Sequence, residues 1–217
     1  MKKPLYNASW QVLRNSVDSH YMDLKISMRK ILNVVQEQYK YRNIDIPKTD
    51  EIVECDNIDE FEEYQSILRN LESYIYFNSL ILISVSSFEY SLKTICYFIS
   101  KKLEPNEKYK EPYKDVIGTS INYLKKTDCW IEDSESFSSK LKTIVTLRNQ
   151  IAHHNGKLSI RNRTQELEDM DKFKLLNKEK FITIYSNGQL YINDPEYIIS
   201  FNSDSHKFLL NIIEKLK

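Results

Sequence analysis

Three side chains with complementary chemistry fall within six residues: Arg148, Asn149 and His153. Arginine holds a phosphate through its planar fork, and histidine takes and gives protons near neutral pH. Asparagine offers both a hydrogen-bond donor and an acceptor. Such a set suits binding a phosphate and moving a proton beside it. The set lies in a segment without acids. Between Glu135 and Glu166 the chain carries Lys140, Lys142, Arg148, Lys157, Arg161 and Arg163, with His153 and His154, and no Asp or Glu. A local basic surface at a helix end is what a phosphate backbone requires. The whole chain balances 31 basic against 31 acidic residues, which excludes a uniformly basic nucleic-acid binder. That zero is a sum of opposites, because residues 45–63 hold nine acids and one lysine. The acidic stretch reads as a solvated loop followed by a first helical turn, where acids suit the helix dipole.

Other chemistries lack their residues. Three isolated glycines, Gly118, Gly156 and Gly188, cannot build a dinucleotide turn or a phosphate loop. Cys55, Cys96 and Cys129 are odd in number and lack C-x-x-C spacing, which gives no structural zinc site and fits a reduced, cytoplasmic protein. His20, His153, His154 and His206 show no metal-binding spacing, so neither a metal nor another cofactor is expected. Lys2 and Lys3 have no apolar core behind them, so the first ten residues do not read as a signal peptide. The most apolar stretch, residues 74–99, is broken by Glu89 and Lys93 and by recurring serines. It reads as a buried core helix rather than a membrane span.

The elements that must position the set follow from periodicity. Trp10, Leu13, Val17, Tyr21, Leu24, Met28, Ile31, Val35 and Tyr39 recur every three or four residues, predicting a helix over 9–40 with Ser9 as its N-cap. Residues 43–57 read as a loop. A second pattern starts near Asp59 and runs to Leu103 through Phe61, Leu68, Leu71, Ile75, Leu82, Val85, Leu92, Cys96 and Ile99, as one helix or two. Pro105 and Pro112 mark a connection, and a shorter helix fits 113–127. The next helix starts near Ser134 or Ser136 and stops at His154, with Gly156 as the glycine that ends it. Residues 157–178 read as loop with room for a short helix. Asn187-Gly188 between two β-prone runs predicts a hairpin over 180–193. Phe208, Leu209, Ile212, Ile213 and Leu216 predict a terminal helix over 203–216, capped by Asn202 or Ser203. The sum is a mainly all-α chain of one domain over 1–217, an antiparallel helical bundle with a small β-hairpin near its end. The core helices over 59–155 carry the candidate residues.

On a helical wheel, Phe137, Leu141, Ile144, Val145, Leu147, Ile151 and Ala152 share a side, with Arg148 near its middle. A lone arginine facing a core is costly. Glu89 falls inside the apolar stripe of the preceding helix, which predicts that Glu89 and Arg148 pair across the bundle. His153 lies five residues on from Arg148, a turn of about 140°, and so points away from the bundle centre. Asn149 is one i,i+4 step from His153 and shares its face. An outward histidine at a helix end could meet a second subunit. The residues by themselves define a helical bundle with a candidate phosphate-binding helix end.

The run Arg148-Asn149-Gln150-Ile151-Ala152-His153 resembles the R-x(4–6)-H motif of HEPN domains, which usually carry a polar residue directly after the arginine. The string from Leu147 to Gly156 is similar to the end of their motif helix. Ser86 to Leu92 resembles the earlier HEPN helix with its buried glutamate, here Glu89. A hairpin followed by a terminal helix is similar to bacterial HEPN proteins of this length. The resemblance covers residues 60–217, with the first helix a looser match.

The resemblance implies a metal-independent endoribonuclease that acts on tRNA or mRNA as a homodimer, with a composite cleft between two motif helices. It implies His153 as general acid or base, Arg148 on the scissile phosphate, and Asn149 as an orienting group. Glu89 and His154 would support them. Lys142, Lys157, Arg161 and Arg163 would follow the RNA backbone. The implied products are a 2′,3′-cyclic phosphate and a 5′-hydroxyl. Family members serve as toxins in toxin–antitoxin pairs, in abortive infection and in other antiviral defence. An antitoxin or other defence partner is thus part of the expectation, and a non-catalytic RNA- or protein-binding module is the alternative. One toxin branch has a modified tyrosine two positions after the motif histidine. Asn155 stands there in this chain, which puts control by that modification in doubt.

Overall fold

A computed structural model describes residues 4–42, 58–102, 108–110, 112–131, 135–158, 171–184 and 188–216. The chain is mostly helical with one small sheet. Helix α1 spans Pro4–Arg42, α2 Ile58–Lys102, α3 Val116–Lys126 and α4 Glu135–His154. A short helix, α5, is described over 171–176. Strands β1 (Ile182–Ile184) and β2 (Leu190–Ile192) pair antiparallel, with Ile182 opposite Ile192 and Ile184 opposite Leu190. Helix α6 (Glu196–Lys215) closes the described chain.

The helices pack antiparallel where side chains report their direction. Along α1 and α6, Arg14 meets Glu214, Asp18 meets His206, and Met28 meets Asn202. Between α2 and α4, Tyr74 meets Asn155 while Glu89 meets Arg148. Between α4 and α6, Phe137 stacks on Phe208 and Lys140 reaches Asp204. Helix α2 touches α1, α3, α4, α6 and β2, so it is the central post. That explains its composition. Leu80, Ile81, Val85, Phe88, Leu92, Ile95, Cys96 and Ile99 are all buried, so α2 buries more than one stripe. Phe88, Phe137, Phe201 and Phe208 form the aromatic heart between α2, α4 and α6.

Several expected boundaries and faces differ. Ser9 is not a cap, since α1 begins at Pro4, and proline is at home in a first turn. The stretch over 58–102 is one helix of 45 residues. Ile75, expected in its apolar stripe, is 54% exposed. Phe61, Leu68, Leu71, Leu103 and Tyr39 lie outside the described side chains, as does the expected loop over 43–57. The terminal helix begins seven residues earlier than 203, at Glu196. Asn202 is therefore a core residue, and its amide donates to the Ser84 hydroxyl (3.0 Å) and to the Ile198 carbonyl (3.1 Å). Ile198, Phe201, Ser205, Phe208, Leu209 and Ile212 run through it as one buried stripe. The Asn202 Nδ2 donors are used inside the bundle, whereas Oδ1, the atom an N-cap would use, is buried without a hydrogen-bond partner among the described residues.

Candidate functional site

Helix α4 carries the three candidate residues and buries Phe137, Leu141, Thr143, Ile144, Leu147, Gln150 and Ile151. Thr143 and Gln150 widen the buried face on one side, while Ala152 on the other is exposed and Val145 only half-buried. Arg148 therefore stands at the edge of the core face, with its side chain 22% exposed, and not at its middle. This is the position at which an arginine can lay its stem along apolar surface and keep its head near water.

At that edge Arg148 Nη2 donates to Glu89 Oε1, so the two charges expected to meet across the bundle do meet. The Glu89 side chain is 23% exposed. Burial holds the Glu89 carboxyl above the usual carboxylate range, against the pull of Arg148, and the nearby charge of Asp115 pushes the same way as burial. Asp115 is there because it starts α3. It sits in the left-handed region (φ 49°) with Oδ1 accepting from the Gly118 N–H at 3.0 Å. A Cβ on Gly118 would lie 2.1 Å from Asp115 Oδ2, so glycine at this place makes room for the cap. Arg148 Nε is buried without a hydrogen-bond partner among the described residues. Glu89 thus engages one corner of a guanidinium that has five N–H donors to give.

Asn149, Ala152, His153 and Lys142 are all exposed, and at 100° per residue they form one face beside Arg148. His153 and His154 occupy the last turn of α4, where a positive charge suits the helix dipole. The helix end is fixed by other elements. Asn155 and Gly156 are both left-handed, with φ of 51° and 68°, and the Gly156 N–H returns to the Gln150 carbonyl at 2.9 Å. Tyr74 Oη on α2 donates to the Asn155 carbonyl at 2.6 Å. Gln189 Nε2 lies 2.8 Å from Tyr74 Oη and 3.2 Å from the Gly156 carbonyl. The hairpin then continues the grip, because Leu190 N–H donates to Gly156 O and Leu158 N–H to Gly188 O. The chain beyond the motif histidine is in effect a third, very short strand, bridged at Lys157 to Gln189. A Cβ on Gly156 would sit 2.4 Å from Tyr74 Oη, so that glycine is required by both backbone angle and space.

The site thus unites Arg148 with Glu89 and places Asn149 and His153 on the adjoining open face. His154 and Lys157 are also exposed, and Arg161 and Arg163 lie outside the described residues. Tyr74, Asp115 and Gln189 were not foreseen. The Asn-Gly turn signalled a hairpin but not that Gln189 would reach the motif helix. A tyrosine on a long helix carries no local sign of a carbonyl partner 81 residues away. Among the described residues no group of His, Cys, Asp and Glu could hold a metal ion, and no helix is long and apolar enough to cross a membrane. No family model, curated protein or solved structure matches the chain.

Proposed function

We propose that this chain is a metal-independent endoribonuclease of the HEPN type, working as a homodimer in a toxin or antiviral-defence role. The observation that carries the reading is the arrangement on α4. Arg148 is held at the core edge by Glu89, and Asn149 and His153 occupy the open face that runs to a rigidly ended helix terminus. A half-buried arginine on α4, tied to a carboxylate of α2 and followed five residues later by an exposed histidine, supports this reading over scattered surface charge.

In this reading the 2′-hydroxyl of RNA attacks the adjacent phosphorus. The O2′–P bond forms and the P–O5′ bond breaks, leaving a 2′,3′-cyclic phosphate and a 5′-hydroxyl. A histidine base takes the 2′ proton and a histidine acid returns one to O5′, so no water or metal is consumed. His153 fills one of these roles and the same residue of a second subunit the other. Such catalysis is worth about 10²- to 10⁴-fold. Arg148 turns the Nη donors that Glu89 leaves open to the phosphate oxygens, where charge grows in the transition state. Asn149 orients the phosphate, and Lys142 and Lys157 neutralise neighbouring phosphates. Exposed Ile75, Ile83 and Tyr90 share one side of α2 and favour a second subunit against it.

The test is incubation of freshly purified chain with total RNA or tRNA in EDTA, beside Arg148→Ala and His153→Ala. Cleavage by wild type that both variants lose, with cyclic-phosphate ends, is the expected result. Absence of cleavage by wild type, together with no growth inhibition in cells, assigns the chain instead to a non-catalytic binding module. A strict monomer at all concentrations would remove the composite cleft.

A further inference from the structure

A cavity of about 190 Å³ opens between α1 and α6 and shares no residue with α4. Its floor is aliphatic, from Met28 and Ile199, with Met22 at the exposed edge, and its lysines are Lys25 and Lys207, with no acid among the described residues lining it. His206 is engaged by Asp18 at 2.7 Å and stacks on Tyr21, with ring centroids 5.1 Å apart. Lys25 and Lys207 are exposed and have no ion-pair partner among the described residues, so they are the free cations of the rim. Met22 and Ile26 carry the apolar surface along α1, at 54% and 49% exposure.

The volume falls below the roughly 300–1,000 Å³ of small-molecule pockets and suits a single side chain. Partner-binding surfaces commonly seat one apolar anchor in such a pocket and surround it with matching charge. Methionines suit the floor, because their flexible thioethers adapt to differently shaped anchors. The rim is positive, so the partner must be negative. Nucleic acid fits poorly. Tyr21 is 4% exposed and stacked on His206, so it offers no open face for base stacking, and His206 is held by the Asp18 carboxylate. We propose that this groove docks an acidic amphipathic segment of a partner protein, with one apolar side chain in the cavity and its carboxylates against Lys25 and Lys207. This inference is independent of the ribonuclease reading.

The chain has four methionines, Met1, Met22, Met28 and Met170, so ¹³C-methyl labelling of methionine in the full chain reports on the groove directly. Short synthetic amphipathic peptides, glutamate-rich with one Leu, Met, Phe or Trp anchor, are titrated in, beside the same peptides with lysine for glutamate. Saturable shifts of the Met22 and Met28 methyls with the glutamate series are expected. Lys25→Glu with Lys207→Glu weakens that binding by about tenfold, as loss of two rim ion pairs predicts. Both lysines are exposed, and the unbound Met28 resonance checks that the fold is kept. The proposal is overturned if no glutamate peptide moves these methyls, or if lysine peptides move them equally. It is also overturned if a single-stranded RNA oligonucleotide moves them in the peptides' place, or if dilution of the chain alone does, which would make a second copy the occupant.

Discussion

The α2–α4 contact and the α1–α6 contact are both antiparallel helix pairs tied by opposite charges, but the charges sit at different depths. Between α2 and α4 the Glu89–Arg148 pair is about one-fifth exposed on each side, the glutamate is held above its usual range, and Arg148 Nε has no partner. Between α1 and α6 the Arg14–Glu214 pair lies on the rim at 31% and 50% exposure, and Asp18, at 38%, meets His206 at 22%. Rim charges join helices cheaply and come apart cheaply. A half-buried pair with an unmet donor is a poor way to join helices, because desolvation offsets much of the attraction. At the candidate site such a pair leaves guanidinium donors that a functional arginine would need.

The largest effect on stability is expected just beyond the motif histidine. Gly156→Val combines a left-handed backbone with a Cβ against Tyr74 Oη, and should cost about 3 kcal/mol, read as a fall in the urea midpoint at unchanged slope. A wild-type midpoint for this variant would mean that the Tyr74–Gln189 grip is slack. The next effect separates stability from chemistry at α2–α4. Glu89→Leu and Arg148→Leu should each cost about 2–3 kcal/mol by stranding the other charge, while the double variant should return to within about 1 kcal/mol of wild type. RNA cleavage should stay lost in the double variant. Its recovery would reduce the pair to architecture.

A smaller effect lies in pH. The Glu89 carboxyl titrates higher in the folded chain than in the unfolded one, so the folded chain holds the proton more tightly. Its contribution to stability is therefore full below the ordinary carboxylate pKa and declines as pH rises through the raised folded value. The stability of wild type relative to Glu89→Gln should fall over that window, measured as urea midpoints between about pH 4 and pH 7. A difference that rises with pH would reverse the balance between burial and Arg148. The smallest effect is expected at the rim, where Arg14→Ala or Glu214→Ala should cost less than about 1 kcal/mol and lose that cost in high salt. A loss as large as that at Glu89 would erase the difference between the two contacts.

The parts of the fold that could be read from residue order are those where one local rule prevails. The three- and four-residue steps of Trp10, Leu13, Val17 and Tyr21 mark the buried face of α1, since any amphipathic helix must bury its stripe. The pairing of β1 with β2 and the stop at Gly156 agree with the local glycine signals in the same way, with residues 185–187 outside the described ones. Periodicity misplaced Ile75 and missed Phe88 and Leu80 because α2 touches four helices and buries more than one face. Asn202 does not cap because the helix starts at Glu196 and carries Asn202 into the core, where its Nδ2 bonds to Ser84 and the Ile198 carbonyl. The face of α4 was rotated too far toward Ala152, because buried Thr143 and Gln150 count as polar on a wheel.

The sequence by itself determined the inventory: an acid-free segment, an arginine and a histidine five residues apart, and a glutamate stranded in an apolar stripe. It also determined that the arginine and histidine would point in different directions, because helical geometry allows nothing else. Only the tertiary structure decided how deep Arg148 lies, that Asp115 stands near enough to press on Glu89, and that Tyr74 and Gln189 hold the end of the motif helix. The reason is physical. Residue type and spacing set what a side chain can do and which face of its own helix it takes. Burial and hydrogen bonding between distant segments depend on which helices pack together, and that is settled by the summed contacts of the whole core.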